Sequence, residues 1–227
     1  MISRPPGKKK KRKPGARRSL ADDAYHAIEE RIVTLQLAPG ALLSEQQLAK
    51  ELSVGRSPVR EAIQRLAHEK LVLVLPRRGI LVSDNNLSTH RRLLEARREF
   101  ERLLVRLACR SATDAQIASF RRMATEFRRQ ARENDVRGFM RTDSEFNGLL
   151  AASADNEFAV KAIELTRGLS RRFWFKYYRN ADLGKCAQLH ADLAHAVGQR
   201  EPAAAGRALD QLIDYMEEFT KAVFDAN

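Results

Sequence analysis

Val54-Gly55-Arg56-Ser57-Pro58-Val59-Arg60-Glu61-Ala62-Ile63 decides how the first third of the chain is read. Ser57 is placed to cap a helix, and Pro58 takes its first position, where a missing N–H costs nothing. Val59, Ala62, Ile63 and Leu66 then recur on one face. Upstream, Ser53-Val54-Gly55 is a short turn. Before it, Ser44 with Gln47 three residues later forms a capping box for a helix that buries Leu48, Ala49 and Leu52. Further back, Ser19 caps a helix with Asp22 in its first turn; Tyr25, Ile28, Ile32 and Leu35 share its buried face, and Ala38-Pro39-Gly40 stops it. Downstream the period changes from 3.6 to that of a strand. Leu71–Leu75 and Ile80–Ser83 are β-rich runs joined by Pro76-Arg77-Arg78-Gly79, a turn with Gly in its last place. Helix, helix, short turn, helix and hairpin make residues 19–84 a winged helix-turn-helix.

The polar positions of this unit point to double-stranded DNA. Arg56, Ser57 and Arg60 gather at the N-terminal end of the third helix, the end that meets base edges when such a helix enters the major groove. Arginine matches guanine O6 and N7, and serine contacts phosphate or base. Arg77 and Arg78 sit at the hairpin tip, within reach of the minor groove or flanking phosphates. The expected DNA-contacting set is Ser44, Glu45, Gln46, Gly55, Arg56, Ser57, Pro58, Arg60, Arg65, Arg77, Arg78 and Gly79. Their clustering outweighs a merely solubilising role, because residues 19–85 carry a net charge of −1.

The chain as a whole has 227 residues, 44% of them apolar and 31% charged, with a net charge of +12. Most of that surplus is a tail: residues 1–18 hold nine Lys or Arg and no acid. Such a block is expected to be disordered by self-repulsion and to attract polyanions. It does not read as a secretory signal, since acidic Leu20-Ala21-Asp22-Asp23 follows where an apolar stretch should be. No run approaches the ~18 apolar residues of a membrane span. Cys109 and Cys186 fit neither a metal spacing nor a disulfide framework and read as small buried thiols, so a reducing, cytoplasmic, nucleoid-associated location is expected.

Leu37-Ala38-Pro39-Gly40, Leu43-Ser44-Glu45-Gln46-Gln47-Leu48-Ala49 and Val54–Ile63 together resemble the DNA-binding head of the GntR family of bacterial transcription regulators. Leu66, Lys70-Leu71-Val72 and Arg78-Gly79-Ile80-Leu81-Val82 carry the resemblance through the wing. Two positions depart from it: Gly55 stands where the family has Ser or Thr, and Lys70 where it has Gly.

Beyond a hinge at 85–89, residues 90–227 show only helical patterns, near 88–111, 113–133, 136–153, 156–180, 185–199 and 202–225. Thr113 with Gln116 is a capping box, Asn134-Asp135 and Asp155-Asn156 are turns, Gly184 is a breaker and Pro202 a first-turn proline. The expected fold is mainly α: the winged head followed by an all-α, six-helix antiparallel bundle. Leu94–Glu101, Asp143-Ser144-Glu145-Phe146-Asn147 and His190–Val197 resemble the ligand-binding (FCD) domain of the FadR-like subfamily, in its six-helix branch.

That resemblance implies a homodimer on a pseudo-palindromic operator, no membrane partner, and an effector held in the bundle. It also maps a divalent metal site (Zn, Ni or Mn) onto Asp143, Asn147, His190 and Leu212. Asn147 is a poor ligand and Leu212 offers none, so a degraded site is expected, with a purely organic ligand or an occupied polar pocket as the other readings. Arg97 matches the family's pocket arginine. With Arg171, Trp174 and Tyr178 of the fourth bundle helix beside Asp143, Asn147 and His190, it suits a small carboxylate. His195, about 140° round its helix from His190, should lie outside the pocket. No nucleophile elbow, phosphate loop or His-Glu-x-x-His is present. The expectation is a DNA-binding regulator, most simply a repressor. The alternatives are a constitutive architectural dimer and a metal-dependent hydrolase using Asp143, Asn147 and His190.

Overall fold

The computed structural model describes residues 19–84, 86–178 and 181–225; the basic tail at 1–18 lies outside the described residues. The head is α1 (Leu20–Val33), β1 (Leu42–Leu43), α2 (Glu45–Leu52), α3 (Arg56–His68), β2 (Val72–Leu75) and β3 (Gly79–Val82). The helical part is α4 (Leu87–Ser111), α5 (Asp114–Glu133), α6 (Val136–Ser153), α7 (Glu157–Tyr177), α8 (Leu183–Gly198) and α9 (Pro202–Asp225).

In the head, Ser19 makes its full capping box with Asp22. α1 then ends at Val33, earlier than Ala38-Pro39-Gly40 would stop it, because Leu35 turns left-handed at φ 60°. The turn swings Leu37, not Leu35, into the core. Ser44 caps α2 by accepting from the Gln47 N–H, but the Gln47 side chain turns to Glu51, so the box is half made. α3 starts two residues before the expected position. Gly55 is its N-cap and offers no side-chain bond, while Ser57 and Pro58 fall within the first turn, where proline still withholds no helical hydrogen bond.

The hairpin strands pair antiparallel, Val72 with Val82 and Leu75 with Gly79. Residues 42–43 add a third strand on the far side of β3, giving the order β1-β3-β2. Two residues leave too short a pattern to be read as a strand. Gly79 is required there: it sits at φ +109°, and a Cβ would come 2.8 Å from the Leu43 carbonyl oxygen.

Six helices build the bundle, each within a few residues of its expected span. Asn86 caps α4, so the joint is shorter than 85–89 and α4 occupies most of it; Asn85 lies outside the described residues, as do residues 179–180 at the far end of α7. Gly184 lies inside α8 rather than breaking it, since Asp182 is the cap. Cys109 and Cys186 are buried free thiols.

Among the described residues the apolar core falls into a head cluster, a large bundle cluster and a small one of Phe173, Phe219 and Val223 between α7 and α9, and Leu169 of α7 belongs to the head's cluster. α7 therefore docks the head directly. Gly168 lets it approach, because a Cβ there would meet Leu71 Cδ1 at 2.5 Å. Arg171 of α7 ion-pairs with Glu29 and Glu30 of α1 at 2.9 and 2.8 Å. Arg172, 1% exposed, donates to the Ser83 carbonyl at 2.6 Å. Head and bundle thus meet chiefly along α7, with Leu93 of α4 also packed against the head's cluster.

Candidate functional site

At the N-terminal end of α3, Arg56, Ser57 and Arg60 are all exposed, as are Gln46 of α2 and Arg77 and Arg78 at the wing tip. Gly55 and Pro58 shape the helix start, Ser44 spends its hydroxyl on the α2 cap, and Gly79 closes the wing turn. Arg60 is not idle. Its Nε and Nη2 fork onto the Glu45 carboxylate at 2.9–3.2 Å, which holds Glu45 below the usual carboxylate range. Sixty per cent of the Arg60 side chain remains exposed, so the pair stands at the surface and can exchange partners.

Arg65 belongs elsewhere. It lies about 140° round α3 from Arg60 and 180° from Arg56. It pairs with Asp22 of α1 at 2.7 Å and stacks over the Tyr25 ring at 4.0 Å. With 42% of its side chain exposed, it borders a cavity on the side of α3 away from Arg56.

That cavity, about 650 Å³, lies between head and bundle. Arg97, Asp143, Asn147, His190, Arg171 and Trp174 line it, as the sequence leads one to expect, while Tyr178, beyond the end of α7, does not. His195 is exposed and outside it. Arg97 meets an internal anion: its Nε donates to Glu101 at 2.6 Å and its Nη1 to the Ser170 hydroxyl at 3.2 Å. Arg171 is spent on Glu29 and Glu30. Arg167 pairs with no carboxylate among the described residues; its Nη2 donates to the Asn147 carbonyl at 3.1 Å.

The expected metal residues bond to one another. His190 Nε2 lies 3.2 Å from Asp143 Oδ1, its Nδ1 donates to the Cys186 carbonyl at 2.8 Å, and the Asn147 amide donates to Asp143 at 3.0 Å. Burial opposes the charged imidazole, yet Cys186 and the Asp143 carboxylate push His190 up to about 10. Burial likewise opposes the Asp143 charge, and His190 outweighs it, holding Asp143 below its ordinary value. Leu212 is 2% exposed in the apolar core. Among the described residues no group of three or more His, Cys, Asp or Glu could hold a metal. Two charged donors locked together, an amide presenting its N–H and a leucine do not fit a divalent ion.

Six cavity residues come from the head: Tyr25, His26, Glu29, Glu30, Arg65 and Glu69. Local sequence carries one trace of this. Glu29 sits between Ile28 and Ile32 on the buried side of α1, four residues after Tyr25, and is 9% exposed. A carboxylate on an apolar face signals a buried partner, here Arg171.

The geometry agrees with comparisons to known proteins. Residues 20–82 match the model described as bacterial regulatory proteins, gntR family, and residues 92–215 match the FCD domain. The chain is 26% identical over 204 residues to the HTH-type transcriptional repressor RspR of Escherichia coli K12, covering 89% of this chain and 90% of that one. It is 32% identical over 143 residues to the Nta operon transcriptional regulator of Aminobacter aminovorans, covering 63% and 66%. Among solved structures, that of E. coli McbR/YncC superposes with a TM-score of 0.75 at 18% identity, over 92% of this chain and all of that one, which supports the fold.

Proposed function

Because the chain belongs to the GntR family of bacterial regulators and carries the FCD domain of its FadR-like subfamily, we propose that this transcriptional regulator is a ligand-released repressor. It binds a pseudo-palindromic operator as a homodimer, each head reading one half-site. Arg56, Ser57 and Arg60 reach base edges, and Arg77 and Arg78 reach the minor groove or flanking phosphates. Gln46 and Glu45 border the same face. The observation that carries the reading is the segregation of exposed arginines: they crowd the start of α3 and the wing tip in a head of nearly zero charge.

The effector is a small organic acid bound in the cavity, its carboxylate gripped by arginine on the bundle wall. Arg97 donates to the Glu101 carboxylate in the same cavity, which supports the reading. Occupancy is transmitted through α7, which faces the cavity with Arg167, Ser170 and Trp174 and the head with Gly168, Leu169 and Arg171. A coupling of ~1–3 kcal/mol changes operator affinity about 5–150-fold.

The test uses the full chain and a duplex from upstream of its own gene. Its affinity should exceed that for a scrambled duplex of equal composition about 1,000-fold or more in moderate salt. Equal binding overturns the assignment. Calorimetry with mono- and dicarboxylates tests the effector class, and heat only from non-acidic or fatty compounds overturns that part.

A further inference from the structure

The two walls of the cavity differ in charge. The head contributes Glu29, Glu30 and Glu69 against Arg65, whose guanidinium is committed to Asp22 and the Tyr25 ring. The bundle contributes Arg97, Arg141, Arg167 and Arg171 against Glu101, Asp143 and Glu164, of which Glu101 is held by Arg97 and Asp143 by His190. One bridge already crosses the gap, from Arg171 to Glu29 and Glu30. Four charged groups line the same space without a salt bridge among the described residues: Arg141, Arg167 and Glu164 from the bundle, and Glu69 from the head, which feels Arg65 only at longer range. Arg167 bonds only the neutral Asn147 carbonyl, and Glu69 accepts only the Tyr25 hydroxyl, at 2.7 Å.

Resting on the carboxylate reading above, we propose that the head supplies a second subsite of the cavity. There Glu69, steadied by Tyr25, takes the ammonium end of an amine-bearing organic acid whose carboxylate lies against Arg167 on the bundle wall. The tyrosine proton is already donated to Glu69, so what this subsite has left to offer is acceptor capacity, and the complement is a donor. Burial, opposed by the Tyr25 bond and reinforced by Glu29 nearby, pushes the Glu69 carboxyl above its ordinary range, so an arriving cation relieves a disfavoured charge. Glu69 is also the C-cap of α3. A ligand seated there bears on the helix whose opposite end, roughly 20 Å away, carries Arg56 and Arg60. The effector then acts on the reading helix itself as well as through α7.

The experiment titrates the full chain with 4-aminobutyrate, 6-aminohexanoate and a mixture of α-amino acids, against butyrate, hexanoate and succinate as matched acids. In the wild type the best amino acid should bind about 10-fold or more tightly than its plain counterpart and change the affinity for the upstream duplex. Glu69→Gln keeps an acceptor for Tyr25, so the fold should survive, and it should erase that preference while leaving the plain acids unchanged. Tyr25→Phe should reduce the preference in the same direction. A preference that survives Glu69→Gln, or plain acids binding as well as amino acids, overturns the subsite alone. If no acid of either kind binds, both the subsite and the carboxylate reading beneath it fail.

Discussion

The two ends of α3 carry arginines of the same chemistry in opposite circumstances. At the start, Arg56 and Arg60 face solvent, and the partner of Arg60 is a surface carboxylate from the neighbouring α2. At the finish, Arg65 lies against Tyr25 and Asp22 of α1, beside Glu69 and a cavity shared with the bundle. One helix thus has an outward end suited to a polyanion and an inward end suited to a small molecule. Arginine content alone did not distinguish them; angular position and neighbours did.

The most damaging way to test that contrast is to truncate both sets. Arg56→Ala and Arg60→Ala should each weaken binding to the upstream duplex by ~1–3 kcal/mol and relax base preference, measured by competition against point-substituted duplexes. Arg65→Ala should leave base preference intact and alter the response to effector. If Arg65→Ala changes discrimination as Arg60→Ala does, the inward end is not separate from the reading surface.

Next in size is the tie that keeps the inward end in place. Arg171→Ala strands Glu29, which is nearly buried, with only the distant His26 ring at 3.9 Å. Loss of ~1–2 kcal/mol in thermal stability is expected, after discounting for the partial exposure of Arg171. The same variant should reduce effector coupling without touching base preference. An unchanged melting temperature would mean that the bridge adds nothing to docking.

The head was legible because its signals are local. Caps, a first-turn proline and a change of period all lie within a few residues of what they specify, and the bundle helices were readable from the same kind of evidence. Where the reading slipped, two local rules competed. Ser57-Pro58 looks like a cap and first position, but proline is equally acceptable later in the first turn, and Gly55 took the cap. Leu35 kept the helical period yet sits in a left-handed turn. The cavity was half legible: Arg97, Asp143, Asn147 and His190 lie on bundle helices whose faces can be traced, whereas Glu69 and Arg65 enter only because α7 docks the head. Asp143 and His190 are 47 residues apart, and nothing in either segment announces that each would satisfy the other.

A smaller effect separates the ends by backbone rather than charge. Lys70 follows the Glu69 cap at φ 60°, a left-handed conformation that glycine adopts without steric penalty. Lys70→Gly should therefore stabilise the protein by ~0.5–1 kcal/mol, partly offset by the greater entropy of the unfolded chain. The change appears as a rise of a few degrees in melting temperature, with base preference unaltered. A fall would show that the lysine side chain contributes more than its conformation costs.

The smallest expected effect lies at the outward end, where Gly55 caps α3 with no side-chain oxygen for the first-turn N–H groups. Its φ of −70° suits any residue, and an added Cβ would meet nothing nearer than Pro58 Cδ at 3.7 Å. Gly55→Ser fits and restores a cap, but glycine is itself a tolerated N-cap, so the gain in stability is only a few tenths of a kcal/mol. The more telling readout is DNA. A hydroxyl at the start of the reading helix can also meet a phosphate, and a phosphate contact carries no sequence information. Gly55→Ser should therefore tighten binding to upstream and scrambled duplexes by the same factor, whereas Lys70→Gly should tighten neither. A gain confined to the upstream duplex would place residue 55 against a base edge and redraw the outward end of α3.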